Sequence, residues 1–322
     1  MKHILFFGST YESLIRFRGQ LIEEIINRGY KVSAITLKPA SKIEKNIKIP
    51  KLELFFFDFS RNKIKIIEDI INFFKLRVII KKINPNIVIA YNIKPVFYAG
   101  FLNYSKKYIF IPMITGLGYT FYADNFRRKL LKLLIIILYR FPLFFSNKVI
   151  FHNDDNRKLF IKYKIIGRSK GFLVRGSGVD LDIFRYNSTN IQNTNNLSFI
   201  MIARILYDKG VIEYIKAANY IKKKYPNISF IFIGEHEKSP NGIKNQILKN
   251  VNKENAVSFL GYKDDVRKFL IQSSVYVLPS YHEGLPRSVI EAMSIGKPII
   301  TTDVPGCKET VIDGENGFML AC

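Results

Sequence analysis

Short strand-like apolar runs alternate with segments of helical periodicity along this chain, and they do so in two successive series. That alternation confines the fold to βαβ units and parallel sheets, because parallel neighbours need a crossover of a dozen or more residues, usually a helix. In the first series, residues 4–7 read as a strand. A helix follows with Leu14, Phe17, Leu21, Ile22, Ile25 and Ile26 on one face, closed by Gly29. Residues 32–37 read as a strand, 64–83 as a helix closed by Asn84-Pro85, and 87–91, 108–115 and 148–152 as strands. The second series runs through strand 197–202, helix 211–224, strand 228–233, helix 243–251, strand 256–259, helix 264–273, strand 275–278, helix 286–294 and strand 298–302. Between the series, residues 187–196 are polar and low in complexity, as a linker would be. The expectation is two Rossmann-type α/β domains, 1–187 and 197–322, with parallel sheets facing a central cleft.

The net charge of +24 is unevenly spread. Residues 1–190 hold 34 Lys/Arg against 13 Asp/Glu, whereas 191–322 hold 16 against 13. A lysine-rich compositional bias explains part of this, but it would act on both halves alike. The asymmetry points to a basic surface on the first half, facing an anionic membrane, a phosphorylated lipid or nucleic acid. Aromatic residues are not interleaved with the basic ones as a base-stacking platform needs, so no nucleic acid is expected. Residues 130–145 are very apolar but too short to span a bilayer, and Lys132, Arg140 and Pro142 interrupt them. They fit a helix lying on a membrane surface or a core helix equally well. The two cysteines, Cys307 and Cys322, exclude a disulfide scaffold and suit a reducing compartment.

The densest chemical signal is Ser280-Tyr281-His282-Glu283-Gly284-Leu285-Pro286-Arg287-Ser288-Val289-Ile290-Glu291. Gly284 and Pro286 suit a tight strand-to-helix turn, with Pro286 at the first helical position. Such a turn offers backbone N–H groups and a positive dipole end to a ligand, while Glu283 and Glu291 could hold hydroxyls. Alternatively, Glu283 stabilises the helix start and Glu291 pairs with Arg287. A second candidate is Arg204-Ile205-Leu206-Tyr207-Asp208-Lys209-Gly210, where two cations in a loop after a strand could converge on a diphosphate or simply be solvated. Two small-residue turns also follow strands: Gly8-Ser9-Thr10 and Thr115-Gly116-Leu117-Gly118. No phosphate-binding GxxxxGK[ST] loop is present, and His282-Glu283 is not a zinc HExxH because Pro286 takes the second histidine's place. The four histidines are scattered, and no metal or other cofactor is expected.

These motifs resemble glycosyltransferase family 4, retaining enzymes of the two-domain GT-B fold. The resemblance rests on Glu283 and Glu291, on Arg204 and Lys209, on Gly176-Ser177-Gly178-Val179-Asp180, and on the stretch from Pro305-Gly306 to Gly314-Glu315-Asn316-Gly317. It implies that Arg204 and Lys209 bind the diphosphate of a nucleotide-sugar donor, that Glu291 holds its ribose, and that Glu283 lies against its sugar. Gly284 and Leu285 would touch sugar or phosphate, and Gly234 and Tyr262 stand where the base is held; Gly8 is a further donor-side residue. Asn92-Ile93-Lys94-Pro95, Ile114 to Tyr119 and Phe151 to Asp155 are similar to the bacterial subgroup that extends polyprenyl-diphosphate-linked saccharides for capsule, O-antigen or N-glycan assembly. Thr115, Gly116 and Gly118 would then face the acceptor, and the enzyme would sit peripherally on the cytoplasmic face of the membrane, taking a UDP-sugar as donor. Many relatives carry a histidine at the place of Thr115, so no base is assigned; a front-face mechanism is expected, in which the leaving phosphate takes the acceptor proton. Relatives continue with further helices beyond the position of Cys322, which implies an incomplete second domain. The alternative function is a catalytically silent remnant that binds nucleotide-sugar or membrane.

Overall fold

The computed structural model describes residues 1–39, 49–59, 65–117, 126–187, 197–237, 239 and 241–321. Two compact units divide at Ser177/Gly178. The expected linker falls almost wholly outside the described residues; Phe184, before it, packs in the core of the second unit.

The first unit is a seven-stranded parallel sheet in the order β3-β2-β1-β4-β5-β6-β7. Its strands are β1 (His3–Phe7), β2 (Lys31–Thr36), β3 (Leu52–Phe56), β4 (Ile87–Tyr91), β5 (Ile109–Ile114), β6 (Val149–Phe151) and β7 (Gly171–Leu173). The helices are α1 (Tyr11–Asn27), α2 (Ile66–Ile83), α3 (Ile93–Leu102), α4 (Phe126–Phe144) and α5 (Asp154–Lys162). Thr10 starts α1 by accepting from the Ser13 N–H at 3.2 Å, and left-handed Asn84 ends α2. Right-handed crossovers place α1 on one face of the sheet and α2 to α5 on the other. Two cores follow: Leu14, Ile22 and Ile49 against one face, and Leu76, Val96, Ala99, Ile136, Leu143 and Phe160 against the other. Helix α4 is thus half a core helix. Ile136, Tyr139 and Leu143 point inward, while Leu133, Ile137 and Phe144 are exposed. A Cβ on Gly100 would lie 2.3 Å from the Pro142 Cβ, so only glycine lets α3 and α4 cross this closely.

His152, at the end of β6, is buried, and burial first and the nearby Arg18 second lower its pKa to about 4. The unfolded chain, with an ordinary histidine, takes up a proton that the folded unit refuses. Stability is therefore complete above about pH 6.5 and is lost as the pH falls toward 4, by at most ~1.4 kcal/mol per pH unit. Urea unfolding between pH 7.5 and 5 should show this slope, and His152→Gln should flatten it.

The second unit is a six-stranded parallel sheet in the order β10-β9-β8-β11-β12-β13. Its strands are β8 (Ser198–Ile202), β9 (Ser229–Ile233), β10 (Val257–Phe259), β11 (Val275–Leu278), β12 (Ile299–Thr302) and β13 (Gly317–Leu320). The helices are α6 (Val211–Lys224), α7 (Asn245–Val251), α8 (Arg267–Gln272) and α9 (Arg287–Ser294). Tyr276 anchors the sheet's centre: fully buried, it donates to Ser288 Oγ at 2.6 Å and lies 3.2 Å from the Ile202 carbonyl. Each sheet reverses its order once, between β1 and β4 in the first unit and between β8 and β11 in the second. At such a reversal the loops leaving the two strands diverge, opening a crevice at the carboxyl ends.

Candidate active site

In the second unit the two loops that leave the reversal carry the residues the sequence singles out. After β8 the chain runs through Arg204 to a single 3-10 turn, Tyr207–Lys209, ended by Gly210 in the left-handed region at φ 71°. After β11 it runs from Pro279 to Pro286, which caps α9 from outside, so the helix begins one residue later than its sequence suggests. The Tyr281 N–H donates to the Asp208 carbonyl at 2.9 Å, tying the two loops together.

Across this tie the Lys209 ammonium donates to Glu283 Oε1 at 2.6 Å. Both side chains are largely buried, at 13% and 14% exposure. Ser280 Oγ donates to the same oxygen at 2.9 Å, and the Glu283 N–H donates to the Pro305 carbonyl at 3.0 Å. The loop at Pro305 can come this near because residue 306 is glycine: at φ 87°, a Cβ there would lie 2.4 Å from the Glu283 carbonyl oxygen. Glu283 thus serves Lys209 and not, as one sequence reading allows, the helix start alone. The other half of that reading is present: Arg287 Nε donates to Glu291 Oε1 at 2.8 Å, one turn into α9. Gly284 and Leu285 are half-buried between these pairs in sequence.

Arg204 is half exposed and pairs with Glu237, in the loop after β9. Gly234 opens that loop at φ 154°, and a Cβ there would lie 1.8 Å from the Ala203 carbonyl oxygen. Its N–H donates to the Gly261 carbonyl at 3.0 Å, which brings the segment before exposed Tyr262 alongside. Asp208 is half-buried, and desolvation raises its pKa. Sequence reading missed Glu237, Ser280 and Asp208 as members of this cluster. The tie between the loops reveals Ser280 and Asp208, and the pairing of β9 with β8 brings in Glu237. It also passed over Asp180-Leu181-Asp182, which has the spacing of a metal-binding D-x-D. Here Asp180 Oδ1 accepts from the N–H of Asp182 at 2.9 Å and of Ile183 at 3.2 Å, a local turn. Among the described residues no group of three His, Cys, Asp or Glu side chains could hold a metal.

Cys307 lies fully buried behind Glu283, and burial, followed by the charge of Glu283, pushes its thiol up to about 12. In a Cys322→Ser background the folded protein should not react with a thiol reagent at pH 8, and denaturant should release one reactive equivalent.

The remaining candidates lie in the first unit, at its own reversal. Gly8, buried after β1, packs on Tyr91, where a Cβ would lie 2.2 Å from the ring. Thr115 and Gly116 line a cavity of about 220 Å³ with Ser9, Asn92, Lys94 and Tyr139. Asn92 holds φ 67°, and its Oδ1 accepts from the Ser9 N–H at 3.3 Å. Lys94 donates to Asp69 Oδ1 at 2.7 Å, and the Tyr98 hydroxyl donates to the same oxygen at 2.5 Å. Gly118 lies outside the described residues.

The sequence matches the family Glycosyl transferase 4-like over residues 3–153 and Glycosyl transferases group 1 over residues 185–322. Among curated relatives, an N,N'-diacetylbacillosaminyl-diphospho-undecaprenol alpha-1,3-N-acetylgalactosaminyltransferase of Campylobacter jejuni is 27% identical over 97% of this chain and 84% of its own. A UDP-Gal:alpha-D-GlcNAc-diphosphoundecaprenol alpha-1,3-galactosyltransferase of Escherichia coli is 26% identical over 83% of this chain and 70% of its own. Of solved structures, Anabaena HepE in complex with UDP aligns at a TM-score of 0.72 and 17% identity, covering 100% of this chain and 86% of that one. Sucrose-phosphate synthase from Thermosynechococcus elongatus aligns at 0.78 and 17%, with coverage of 100% and 86%. The structural likenesses speak for the GT-B fold. With residues 3–153 of the glycosyl transferase 4-like kind and residues 185–322 of glycosyl transferases group 1, most of its length together, the chain belongs to the glycosyltransferases.

Proposed function

We propose that this glycosyltransferase moves a hexosyl or N-acetylhexosaminyl unit from a nucleotide-sugar, a UDP-sugar by analogy with its relatives, to a polyprenyl-diphosphate-linked saccharide, with retention at the anomeric carbon. The product serves cell-surface polysaccharide or glycan assembly, at the inner face of the plasma membrane. The single observation that carries this reading is the Lys209–Glu283 pair, held at 2.6 Å where the order of the second sheet reverses. A cation and a carboxylate side by side fit a donor that joins a diphosphate to a polyhydroxylated sugar. Lys209 and Arg204 take the diphosphate, as a point charge and as a fork. Glu283 turns to the sugar hydroxyls, Glu291 to the ribose, and Gly284 and Leu285 offer backbone contacts. Gly234 and Tyr262 hold the base, and Gly8 is a further donor-side residue. Thr115, Gly116 and Gly118 meet the acceptor.

In the reaction the bond from the anomeric carbon to the diphosphate oxygen breaks, and the acceptor oxygen bonds to the same face. The acceptor's hydroxyl proton passes to the departing phosphate. Charge growing on that phosphate is met by Lys209 and Arg204, so neither a protonating acid nor a metal is needed.

The test is transfer from a panel of UDP-sugars to polyprenyl-diphosphate-linked saccharides. Glu291→Ala should raise the donor KM by about tenfold or more, the worth of a lost hydrogen bond to a charged group, with a smaller change in kcat. Unchanged turnover in both Arg204→Ala and Glu291→Ala would overturn the assignment of the site.

A further inference from the structure

The exposed side chains of the first unit are not randomly placed. On α2, Ile67, Ile70, Ile71, Phe74 and Val78 are all exposed, Ile67 at 76% and Val78 at 68%. Their spacing of three and four residues puts them on one stripe about 16 Å long. On α4, Leu130, Leu133, Leu134, Ile137, Phe141 and Phe144 form a second such stripe about 21 Å long, with Phe144 at 69% exposure. Each helix has already met its core demand with another face, through Leu76, Ile80 and Ile83 on α2 and Ile136, Tyr139 and Leu143 on α4. Single exposed apolar residues need no explanation, but two unbroken stripes on one side of one sheet do. Both helices flank α3: Phe101 stacks on Phe141 with ring centroids 4.6 Å apart, and Tyr98 of α3 donates to Asp69 of α2. The stripes therefore belong to one helical layer, with α3 touching both helices.

The charge on these helices is predominantly basic. The α4 sequence holds five basic residues and no acidic one. On α2, Lys75, Arg77, Lys81 and Lys82 are exposed, while its two acids are each engaged, Glu68 by Lys65 and Asp69 by Lys94, both at 2.7 Å. Apolar stripes on helices of basic sequence fit a surface whose interior is hydrocarbon and whose headgroups are anionic. Among the described residues no helix is long and apolar enough to cross a membrane, so the arrangement suits lying on a bilayer rather than spanning it.

We infer that the outward faces of α2 and α4 together form a docking surface for an anionic lipid bilayer. The choice of a membrane over another apolar partner rests on the proposed lipid-linked acceptor. Tyr139 of α4 also lines the 220 Å³ cavity with Thr115 and Gly116. The docked helix therefore carries the wall of the pocket assigned to the acceptor, and a lipid-linked saccharide would reach that pocket without leaving the surface.

The chain contains no tryptophan, so an introduced one reports alone. Ile137→Trp on α4 and Phe74→Trp on α2 should each shift their emission to the blue on vesicles of phosphatidylethanolamine with phosphatidylglycerol, and be quenched by lipids brominated near the headgroup. Neither change should occur on phosphatidylcholine vesicles at physiological salt. In co-sedimentation, Leu133→Glu/Ile137→Glu and Ile70→Glu/Phe74→Glu should each lower the vesicle-bound fraction by about tenfold or more. Their thermal unfolding should stay within a few degrees of the parent, because these positions are exposed.

A blue shift at one helix alone, or none at either, overturns the two-helix surface. So does an unchanged bound fraction in the glutamate variants. A concentration-dependent dimer that the glutamate variants convert to monomer, with vesicle binding intact, would assign the face to a second copy of the chain instead. Transfer to a short-chain, water-soluble acceptor separates this inference from the proposed reaction. The glutamate variants should retain it, whereas its absence in the parent protein would count against the reaction and leave the vesicle result standing.

Discussion

Replacing Lys209 with methionine is expected to lower kcat by about 10²–10³-fold, the loss seen when one preorganised group that stabilises transition-state charge is removed. The same change leaves the Glu283 carboxylate, 14% exposed, without its cation. A fully buried carboxylate so abandoned costs about 3–5 kcal/mol; here residual exposure and the Ser280 hydroxyl at 2.9 Å should reduce that to roughly 2 kcal/mol. The two effects can be separated. Lys209→Met/Glu283→Gln removes the stranded charge and should recover most of the lost stability in denaturant unfolding, while kcat stays low. Lys209→Arg keeps the charge but spreads it over a planar fork, and should restore activity only in part. A double variant that regains both stability and turnover would show that the pair merely holds the loops together.

The second large effect is expected at Gly210. Its φ of 71° alone costs a residue with a side chain about 1 kcal/mol. A Cβ there would also lie 2.0 Å from the Pro279 carbonyl oxygen and 2.7 Å from its carbon, contacts that only a backbone shift relieves. Gly210→Ala should therefore destabilise the second unit by more than about 3 kcal/mol, as large core strain does, and lower kcat as well, since Pro279 begins the loop that carries Glu283. Gly261→Ala is the control. It has nearly the same φ, 69°, and nothing within 4 Å of the added carbon, so it should cost only the ~1 kcal/mol of conformation. Equal losses at the two glycines, measured by thermal unfolding, would mean that the close approach to Pro279 is unimportant.

The alternation of periods was enough to foresee the parallel sheets, and 87–91, 211–224 and 275–278 match observed elements residue for residue. Helix α3 was not foreseen because it is buried on nearly all sides: Ile-Lys-Pro-Val-Phe-Tyr-Ala-Gly-Phe-Leu shows no polar face to set a helical period. Strands β7 and β13 were also not foreseen: each begins on a glycine, a residue depleted in strands, and follows a turn-rich stretch. At the site, Glu283 and Lys209 could each be picked out by local spacing. Their contact could not, because 74 residues separate them, and it exists only through the strand order that lays β8 beside β11. Glu237 was invisible for the same reason. Residues 130–145 were ambiguous because a helix serving a core on one face and an apolar outside on the other has no polar face in its sequence.

Both cations proposed for the donor site already have a carboxylate: Lys209 has Glu283 and Arg204 has Glu237; Arg287, four residues after Glu283, likewise has Glu291. The site is in effect a set of closed couples, and a guest enters only by exchange. An anion that claims Lys209 must leave Glu283 something to hold. A diphosphate joined to a sugar and a ribose brings both halves of that trade, whereas inorganic phosphate or sulfate brings only one. Under the proposed donor assignment, simple anions should therefore be weak competitors despite the excess of positive charge on the chain, because the self-neutralised pairs favour a guest that brings both halves.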